Sequence, residues 1–423
     1  MNRPPLLFLA CIAVALAHSP ARAQEVSADT LHVKQVDGED VRELIGHVLL
    51  TQENTRVTCE RALQFIAKGK FLLNGNVVVS DDSLTLRSPR GIYDRPERRA
   101  EAFERVELTD GATRVTARYG MYLAGERRAF FRTHVVIVDT SSVVTADSLV
   151  YWRVTRRSLA RGHVVVRSPA DRLTIYGGRL DNDAVLRYSR MTVSPLMVQI
   201  DSAGEGRFDT LQVRGLVLES YRDSTRRLIA RDSVELVRTD LAATARYACF
   251  FTAGDSILLR SAPVIWYRDT QVAGDSINVY LKKRKLERLL VNGSAFAVSR
   301  SDSLHPERYD QIAGDRLRML FGDRGLSRTD VEGRAMSLYH LYDDTLANGA
   351  NRTSGDRIVM LFAGGKAEAI TVYGGVEGDY FPENMVRGKE TEYALPGFLW
   401  RVHRPRLTET LRADTAEDNH QRE

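Results

Sequence analysis

The sequence predicts an all-β fold, an elongated array of short antiparallel strands. Three stretches that begin at Ile92, Met121 and Val150 repeat at a fixed spacing of 29 residues. A tyrosine column, a double-arginine column and a column of β-branched residues recur in the same register in all three. A tandem repeat of this length indicates units that stack on their neighbours and share one apolar interior.

Each repeat contains the signals of two strands and two turns. "RVELT", "HVVIVD" and "HVVVRS" are short and rich in β-branched residues, which favours strands. Turn residues lie between the tyrosine and the arginines, as in Asp94-Arg95-Pro96-Glu97. Alternation places Val106 and Leu108 on one face and Glu107 on the other. "ERALQFIAK" after Cys59 could be read as a helix, but it keeps the strand register of the repeat.

The second half of the chain carries a related pattern. The period slips after Val193 and resumes near Tyr221. Three stretches that begin at Ala273, Ala313 and Ser354 then each start a strand directly after Gly-Asp. We predict that the glycine supplies a positive-φ turn and that the aspartate caps or bonds the following backbone. The predicted organisation is a signal peptide at 1–23, a first β-repeat domain at 24–200, a second at 201–385, and a C-terminal strap with a disordered polar tail at 386–423.

The N-terminus predicts export. Arg3 precedes an apolar run at 6–16, and Ala21-Arg22-Ala23 offers a cleavage site, so the mature chain would begin near Gln24. Cys11 also suggests a lipoprotein site, which we disfavour because the apolar stretch before it is short. The remaining Cys59 and Cys249 allow one long-range disulfide or two isolated buried thiols, and the sequence leaves both open.

Composition and motifs exclude several functions. The formal charge of +5 comes from 60 basic and 55 acidic residues that are evenly mixed, so we predict no nucleic-acid partner. HExxH, paired CxxC, GxSxG and Walker motifs do not occur in the sequence. We therefore predict no enzymatic activity, no cofactor and no metal.

Two weaker polar signals have plain interpretations. One histidine per repeat, at 47, 134 and 163, would be a metal ladder or, as we prefer, a polar residue at a strand start. Asp81-Asp82 and Asp343-Asp344 are predicted to be solvated turn residues rather than a glycosidase pair.

The two strongest columns each have a functional and a structural interpretation. The arginines would contact ligand phosphates or keep the hairpin tips solvated, since arginine binds phosphate in a bidentate manner and charge blunts strand edges. The predicted phosphate contacts are Arg98, Arg99, Arg127, Arg128, Arg156 and Arg157. The valine column forms a filled core or lines an open trough for acyl chains, and sequence does not fix the width of the interior.

The units resemble the OstA-like (organic solvent tolerance) family. This is the repeat of the periplasmic lipopolysaccharide-transport bridge (LptA) and of the periplasmic part of the outer-membrane translocon (LptD). The family pattern matches at Gly75–Val77, Ala146–Leu149, Ala273–Tyr280, Ala313–Phe321 and Ser354–Phe362. The resemblance covers about residues 46–385.

The resemblance implies a V-shaped β-jellyroll, here as two consecutive lobes, in the periplasm and in association with the outer membrane. Its interior would bind the lipid A acyl chains of lipopolysaccharide or a related glycolipid. Carried over by register, the lipid-binding residues would be Val77, Val79, Val106, Leu108, Val135, Ile137, Leu149, Tyr151, Val164, Val166, Val234, Leu236, Ile277 and Val279.

The resemblance also implies partners. These would be other lipopolysaccharide-transport proteins joined by edge-strand pairing, or further copies of this chain joined end to end. We predict the edges near Val48 and at Tyr373–Val376. The chain lacks the length of a translocon, so it would be a bridge or accessory component. The alternatives are a ligand-free structural or adhesive β-solenoid, and a carbohydrate-active β-helix enzyme, for which no acidic cluster is evident.

Overall fold

The computed structural model describes residues 25–36, 38–111, 113–204, 207–224, 226–251, 255–282, 285–301, 305–343, 346–363 and 366–407. The predicted signal peptide, Cys11 and most of the polar tail lie outside these ranges. Two compact units are present, and they divide between Arg114 and Arg127, with Val115–Ala117 in the second unit. The predicted domain boundary at residue 200 stays a prediction.

The strands of the first part of the chain are β1 (Glu25–Ser27), β2 (Thr30–Val36), β3 (Glu39–Gln52), β4 (Thr55–Phe65), β5 (Lys70–Asp81), β6 (Leu84–Asp94), β7 (Arg99–Asp110) and β8 (Thr113–Leu123). Those of the middle part are β9 (Arg128–Val138), β10 (Val143–Trp152), β11 (Arg157–Ser168), β12 (Leu173–Asp183), β13 (Tyr188–Thr192), β14 (Leu196–Gly204), β15 (Arg207–Arg214), β16 (Val217–Tyr221), β17 (Arg227–Val237) and β18 (Leu241–Phe251).

The last part contains β19 (Ser256–Arg260), β20 (Val264–Tyr267), β21 (Thr270–Ala273), β22 (Ser276–Lys282), β23 (Lys285–Arg300), β24 (Tyr309–Gly322), β25 (Gly325–Asp343), β26 (Leu346–Ala363), β27 (Lys366–Tyr373) and β28 (Glu377–Phe381). One short helix, α1 (Glu383–Val386), and one 3-10 turn (Glu390–Tyr393) are the helical elements of the described residues. The all-β prediction is confirmed, and "ERALQFIAK" belongs largely to β4 as expected.

Most long strands bend at a corner near their middle. In β11 the pairing with β12 shifts between Arg161 and Val164, and Gly162 and His163 take positive φ values of 76° and 43°. A bulge of this kind turns a strand sharply. Each bent strand therefore contributes one half to layer 1, such as Arg157–Arg161, and the other half to layer 2, such as Val164–Ser168.

The two layers face each other inside each unit. In unit 1 the Tyr93 hydroxyl of layer 1 donates to Gln52 Oε1 of layer 2 at 2.8 Å. In unit 2 the Tyr339 hydroxyl of layer 2 lies 3.2 Å from Met360 Sδ of layer 1. Alternating residues on the inner faces form the core, and Val106 and Leu108 are 1 % exposed, as the period predicts.

The Gly-Asp pairs lie at these corners, and the reason predicted for the glycine is wrong. Gly314 is not among the positive-φ glycines, whereas Gly333 on the adjacent strand has φ 74°. A Cβ on Gly314 would lie 2.5 Å from Val331 Cγ1 and 3.1 Å from the Gly333 carbonyl oxygen. Gly314 is therefore required for close approach of the neighbouring strand. The carboxylate of Asp315 lies close to Gly333 on the adjacent strand. A Cβ on Gly333 would be 2.4 Å from Asp315 Oδ2.

The first arginine of each double-Arg pair has a backbone role. Arg98, Arg127 and Arg156 take positive φ values of 50°, 49° and 52° at the hairpin tips of layer 1. The Arg98 carbonyl accepts a 3.0 Å hydrogen bond from the Ala124 amide in the next tip, and Arg127 does the same for Arg153. The tips are thus linked by a ladder of backbone hydrogen bonds, which fixes the stacking of successive hairpins.

The slip in the period after Val193 has a topological cause. β14 and β15 form a hairpin within layer 2, where β14 pairs with β12 and β15 pairs with β17. In layer 1, β13 pairs directly with β16. The extra hairpin adds residues to one layer without a second crossing of the corner, and the 29-residue spacing is lost there.

The strap, residues 382–407, covers the outer face of layer 2 in the last part of unit 2. Val386 and Leu395 join a buried cluster with Ala313, Leu338 and Ala350. The side chain of Gln271 on β21 bonds to the carbonyl of Leu399 and the amide of Arg401, at 2.7 and 2.8 Å. Residues 386–407, the described part of the segment predicted at 386–423, thus include a stretch that packs against the sheet.

Of the two predicted edges, the structure contradicts the one near Val48 and agrees with the one at Tyr373. Val48 is 1 % exposed in β3, which pairs with β1 and β2 on one side and β4 on the other, so the prediction of an edge there is wrong. In the described pairings β2 contacts β3 alone, and β27 and β28 contact β26 alone. Tyr373 therefore ends an edge strand, as expected.

Candidate ligand groove

The interior of unit 1 is closed by polar contacts between the layers. The Tyr93–Gln52 hydrogen bond lies beside an ion pair between Arg98 and Glu53, whose N and O atoms are 2.8 Å apart. One repeat further on, the Tyr122 hydroxyl donates to Asp81 Oδ2 at 2.5 Å. In unit 1 the tyrosine column thus links the two layers by hydrogen bonds on the side opposite the corners.

Asp81 was misread from the sequence. It was predicted to be a solvated turn residue, but it is the last residue of β5 and only 4 % exposed. Its partner Tyr122 lies 41 residues further along the chain, so a local sequence pattern does not reveal the contact. The spacing of the repeat could have suggested the pair, because Tyr93 and Gln52 are also 41 residues apart.

The predicted lipid-binding residues separate into two groups. Most are at most 2 % exposed, and these are Val77, Val79, Val106, Leu108, Val135, Leu149, Val164, Val234, Leu236, Ile277 and Val279. Three are half-buried, namely Ile137, Tyr151 and Val166. The first group lies in a packed interior, and the second group marks a place where the inner face is accessible. Their role in lipid binding stays a prediction.

One wall of this accessible place belongs to layer 2. Ile137, Val144, Val166 and Ile175 are direct cross-strand neighbours on β9, β10, β11 and β12, and all four are half-buried. The same inner row continues to Met197, which is 4 % exposed. Accessibility is therefore confined to a short stretch of an otherwise buried apolar row.

The facing wall in layer 1 is polar. Its inner row, nearest the hairpin tips, consists of half-buried Tyr151, Ser158, Asn182, Ser189 and Ser220, neighbours on β10, β11, β12, β13 and β16. The row then continues as Leu228 and Phe250, which are buried. The Ser189 hydroxyl donates to Asn182 Oδ1 at 2.8 Å. The valines and isoleucines of layer 2 thus face a layer 1 wall of hydroxyl and amide groups that also contains Tyr151.

Side-chain volume explains why the interior opens there. In the last part of unit 2, the large Leu289 and Met319 of layer 1 combine with small Ala297 of layer 2, and the core is filled. On β11, β13 and β16 the layer 1 row instead contains the small Ser158, Ser189 and Ser220. Protein interiors pack to near-crystalline density, so the smaller side chains of layer 1 account for the half-buried state of these residues, and we interpret the stretch as a groove. We call the nine residues of the two walls the groove.

The rim of the groove is also unusual. The layer 1 tips beside it expose Val154, Val185 and Leu186 by 71, 66 and 70 %. Opposite them, Ser141 in the β9–β10 turn accepts a 2.9 Å hydrogen bond from Arg222 Nη1. Burial opposes the shift, but hydrogen bonds from the amides of Ser141 and Ser142 hold the pKa of Asp139 in this turn below its ordinary value. The rim thus combines a firmly bonded polar turn with exposed apolar tips.

The predicted phosphate contacts lie at the tips with partners of several kinds. Arg98 pairs with Glu53, and Arg99 with Glu97 and Glu101. Arg157 lies 3.8 Å from Asp183, and the Arg128 guanidinium lies 4.7 Å from the Phe130 ring centroid. Whether any of the six contacts a phosphate is untested.

The histidines and cysteines show structural roles. His47 and His163 are corner residues, and each Nδ1 lies 2.8 Å from a carboxylate oxygen, of Asp29 and Asp147 respectively. Cys59 and Cys249 are buried and free, and burial raises the pKa of the Cys59 thiol to about 11. Within the described ranges no three His, Cys, Asp or Glu side chains are grouped as metal ligands.

Comparison with known proteins gives a similar solved structure and a family match to part of the chain. The solved structures include a similar one, LptH from Pseudomonas aeruginosa, described as the LptA-homologous periplasmic component of the conserved lipopolysaccharide transport device. The two are 12 % identical with a TM-score of 0.27, over 34 % of this chain and 95 % of LptH, and no argument below uses this likeness. None of the curated proteins matches the chain.

No described helix is long and apolar enough to cross a bilayer. The family model described as OstA-like protein matches residues 24–175. This match contains unit 1 and most of the groove. The resemblance predicted from the repeats is confirmed there: residues 24–175 are an OstA-like segment.

Proposed function

We propose that this protein is a periplasmic lipopolysaccharide-binding component of a transport bridge, which carries acyl chains toward the outer membrane. The observation that supports this most is the groove. An accessible apolar row inside a two-layered β array offers what an acyl chain needs, since burial of each methylene contributes about 0.8 kcal/mol without directional contacts. The exposed Val185 and Leu186 at the rim would meet the chain as it enters.

The closed interior of unit 1 favours the alternative, a ligand-free structural β-solenoid. Its core residues Val79, Leu86 and Leu108 are 1–2 % exposed and the layers are bonded together. On the carrier proposal, lipid binds at the groove, and unit 1 serves as scaffold and docking element.

Bridge assembly would use the edge strands. β2 exposes Leu31 and Val33 by 53 and 67 %, and β27 exposes Ile370 and Tyr373 by 43 and 51 %. An unpaired strand offers free amide and carbonyl groups to a second chain. Other lipopolysaccharide-transport proteins, or a second copy of this chain end to end, are the proposed partners.

Site-specific photocrosslinking in the living cell tests the carrier proposal. A benzoylphenylalanine probe at Val166 or Ile175 should give lipopolysaccharide adducts. The same probe at Arg167, one residue from Val166 on the outer face of layer 2, should give none. Failure of both groove probes in exported, folded protein would favour the ligand-free solenoid.

A further inference from the structure

A row of arginines runs along the outer face of layer 1 in unit 2, beside the corner. Successive cross-strand partners are Arg132, Ser148, Arg161, Arg179, Thr192, Val217, Arg231, Tyr247, Arg260, Ser276, Asn292, Arg316, Glu332 and Arg357. Only Glu332 is acidic among them. At about 4.8 Å per strand the row is roughly 60 Å long. We call it the arginine stripe.

Part of the stripe is neutralised by the protein itself. Arg179 bonds to Asp181 at 2.8 Å, Arg231 to Glu219 at 2.7 Å, and Arg357 to Asp330 at 2.8 Å. These carboxylates lie in the neighbouring outer row. The other four arginines of the stripe are Arg132, Arg161, Arg260 and Arg316.

Those four are exposed. In the part of the chain that the structure describes, no carboxylate lies within salt-bridge distance of Arg132, Arg161, Arg260 and Arg316. Two carboxylates on the corner side have other hydrogen-bonding partners: Asp147 lies 2.8 Å from His163, and Asp315 bonds to Arg334. Arg316 nevertheless has two acidic neighbours, since Glu332 is its cross-strand partner and its charge, after the hydrogen bond from Arg334, helps to lower the pKa of Asp315. Four guanidinium groups are thus available to a ligand.

The concentration of charge is specific to this row. Arg161 and Arg179 are direct cross-strand neighbours, an arrangement of like charges that destabilises a sheet. The corresponding outer row of layer 2 contains Val165, Tyr176 and Leu196 instead. A general need for a charged outer face would affect both layers, so the stripe calls for a separate explanation.

The middle of the stripe forms a shallow cavity. Arg231, Arg246, Tyr247 and Arg260, with Asp232 and Ser261, line a volume of about 360 Å³. The Arg231 guanidinium is held by Glu219 and lies 5.3 Å from the Tyr247 ring centroid, so it is fixed before any ligand arrives. Arg246 has a 76 % exposed side chain that lies 4.0 Å from Asp232 Oδ1. Such a site suits a planar or tetrahedral anion, which arginine binds through paired N–H groups.

We infer that the arginine stripe binds an anionic polysaccharide. The stripe is linear and narrow, which fits a polymer chain. Ser148, Thr192, Ser276 and Asn292 stand between the arginines and can hydrogen-bond sugar hydroxyls, and Tyr247 offers a ring face to a sugar. This inference does not depend on the groove, which lies on the inner face.

Binding of dextran sulfate tests the inference, with neutral dextran as the probe for sugar alone. The triple variant Arg161→Ser, Arg260→Ser and Arg316→Ser should lose affinity on the order of tenfold at moderate salt, since it removes three charge-assisted contacts. A matched variant with the same charge change combines Arg167→Ser, Arg324→Ser and Arg401→Ser, all exposed outside the stripe. It should change affinity less than about twofold.

Two results would overturn the inference. Equal losses in the two triple variants would show that net charge alone attracts the polymer. Stripe-dependent binding of phosphatidylglycerol vesicles or single-stranded DNA that is tighter than binding of dextran sulfate would assign the stripe to another class of partner. Circular dichroism of all variants verifies that the sheet remains folded.

Discussion

The hydroxyl of Tyr122 on β8 lies 2.5 Å from the carboxylate of Asp81 on β5, and both side chains are buried between the layers of unit 1. Tyr122→Phe removes one donor from this carboxylate while it keeps the ring. We expect a loss of about 1–3 kcal/mol in the free energy of unfolding, measured by urea denaturation.

Tyr119→Phe is the control on the same strand. Its hydroxyl bonds to Glu101 at 2.9 Å in a partly buried position, so water can replace it, and the loss should stay below about 1 kcal/mol. Equal losses at the two tyrosines would contradict a special role for the interlayer bond.

Filling the groove should raise stability and prevent lipid binding. Ser158→Leu and Ser220→Leu place apolar volume where layer 1 has a deficit, so each should raise the free energy of unfolding by about 0.5–1.5 kcal/mol. Lipopolysaccharide adducts from a probe at Val166 should decrease in the same variants.

Ser337→Leu is the contrasting substitution. Ser337 is 2 % exposed on the inner face of β25, where the layers are packed, so leucine should destabilise by about 1–3 kcal/mol. Destabilisation at all three serines would mean that the groove has no spare volume.

The close approach at the corners predicts a second pair of variants. Gly314→Ala should destabilise by roughly 1–3 kcal/mol, because its Cβ would lie 2.5 Å from Val331 Cγ1. Gly322→Ala, where no atom lies within 4 Å of the added Cβ, should be near neutral. Thermal unfolding of the two variants gives the comparison, and equal midpoints would refute the steric explanation.

Asp330 predicts a dependence of stability on pH. A hydrogen bond from Arg328 first, and then those from Arg357 and Arg318, hold the pKa of this buried carboxyl far below its ordinary value, although burial opposes the shift. The folded pKa lies below the unfolded value of about 3.9, so the stabilisation is present above pH 4 and is lost as pH falls toward the folded pKa.

Asp330→Asn should therefore be less stable at pH 7, by on the order of 1–3 kcal/mol, and should lose less stability than wild type between pH 5 and 3. Urea titrations at each pH measure both effects. Parallel stability curves for the two proteins would mean that Asp330 does not carry the acid dependence.

Arg308 anchors the strap. Its side chain is 1 % exposed and lies 2.8 Å from Glu383 and 3.5 Å from Glu390. Arg308→Met leaves Glu390 without this cation and Glu383 with the exposed Arg387 alone, and removal of one partner of a buried pair costs up to about 3–5 kcal/mol. Chymotrypsin should then cleave after Tyr393 much faster than in wild type. Arg401→Met, an exposed change in the strap, should leave the cleavage rate unchanged.

The sequence predicted those features that are local or periodic. The 29-residue columns gave the strand register, the inward direction of Val106 and Leu108, and the tips at Arg98 and Arg127. These follow from alternation and turn chemistry, which act within a few residues.

The features that the sequence did not predict depend on distant residues. The width of the groove is set by the volume of Ser158 and Ser189 against Val144 and Val166 in the other layer, and a single strand does not report it. Val48 was predicted at an edge because β1 and β2, which cover β3, fall before the first recognisable repeat. In the Gly-Asp pairs, close approach and positive φ favour the same residue type, so glycine alone did not distinguish them.

The position of the strap has a consequence for biosynthesis. The chain emerges from the ribosome with its N-terminal part first, so β20–β26 are complete before residues 382–407 follow. Until then Leu338 and Ala350 have no cover on the outer face of layer 2. A nascent chain that stops before the strap would expose this apolar sheet face to chaperones and proteases, so the strap completes the cover of a face that is made earlier in synthesis.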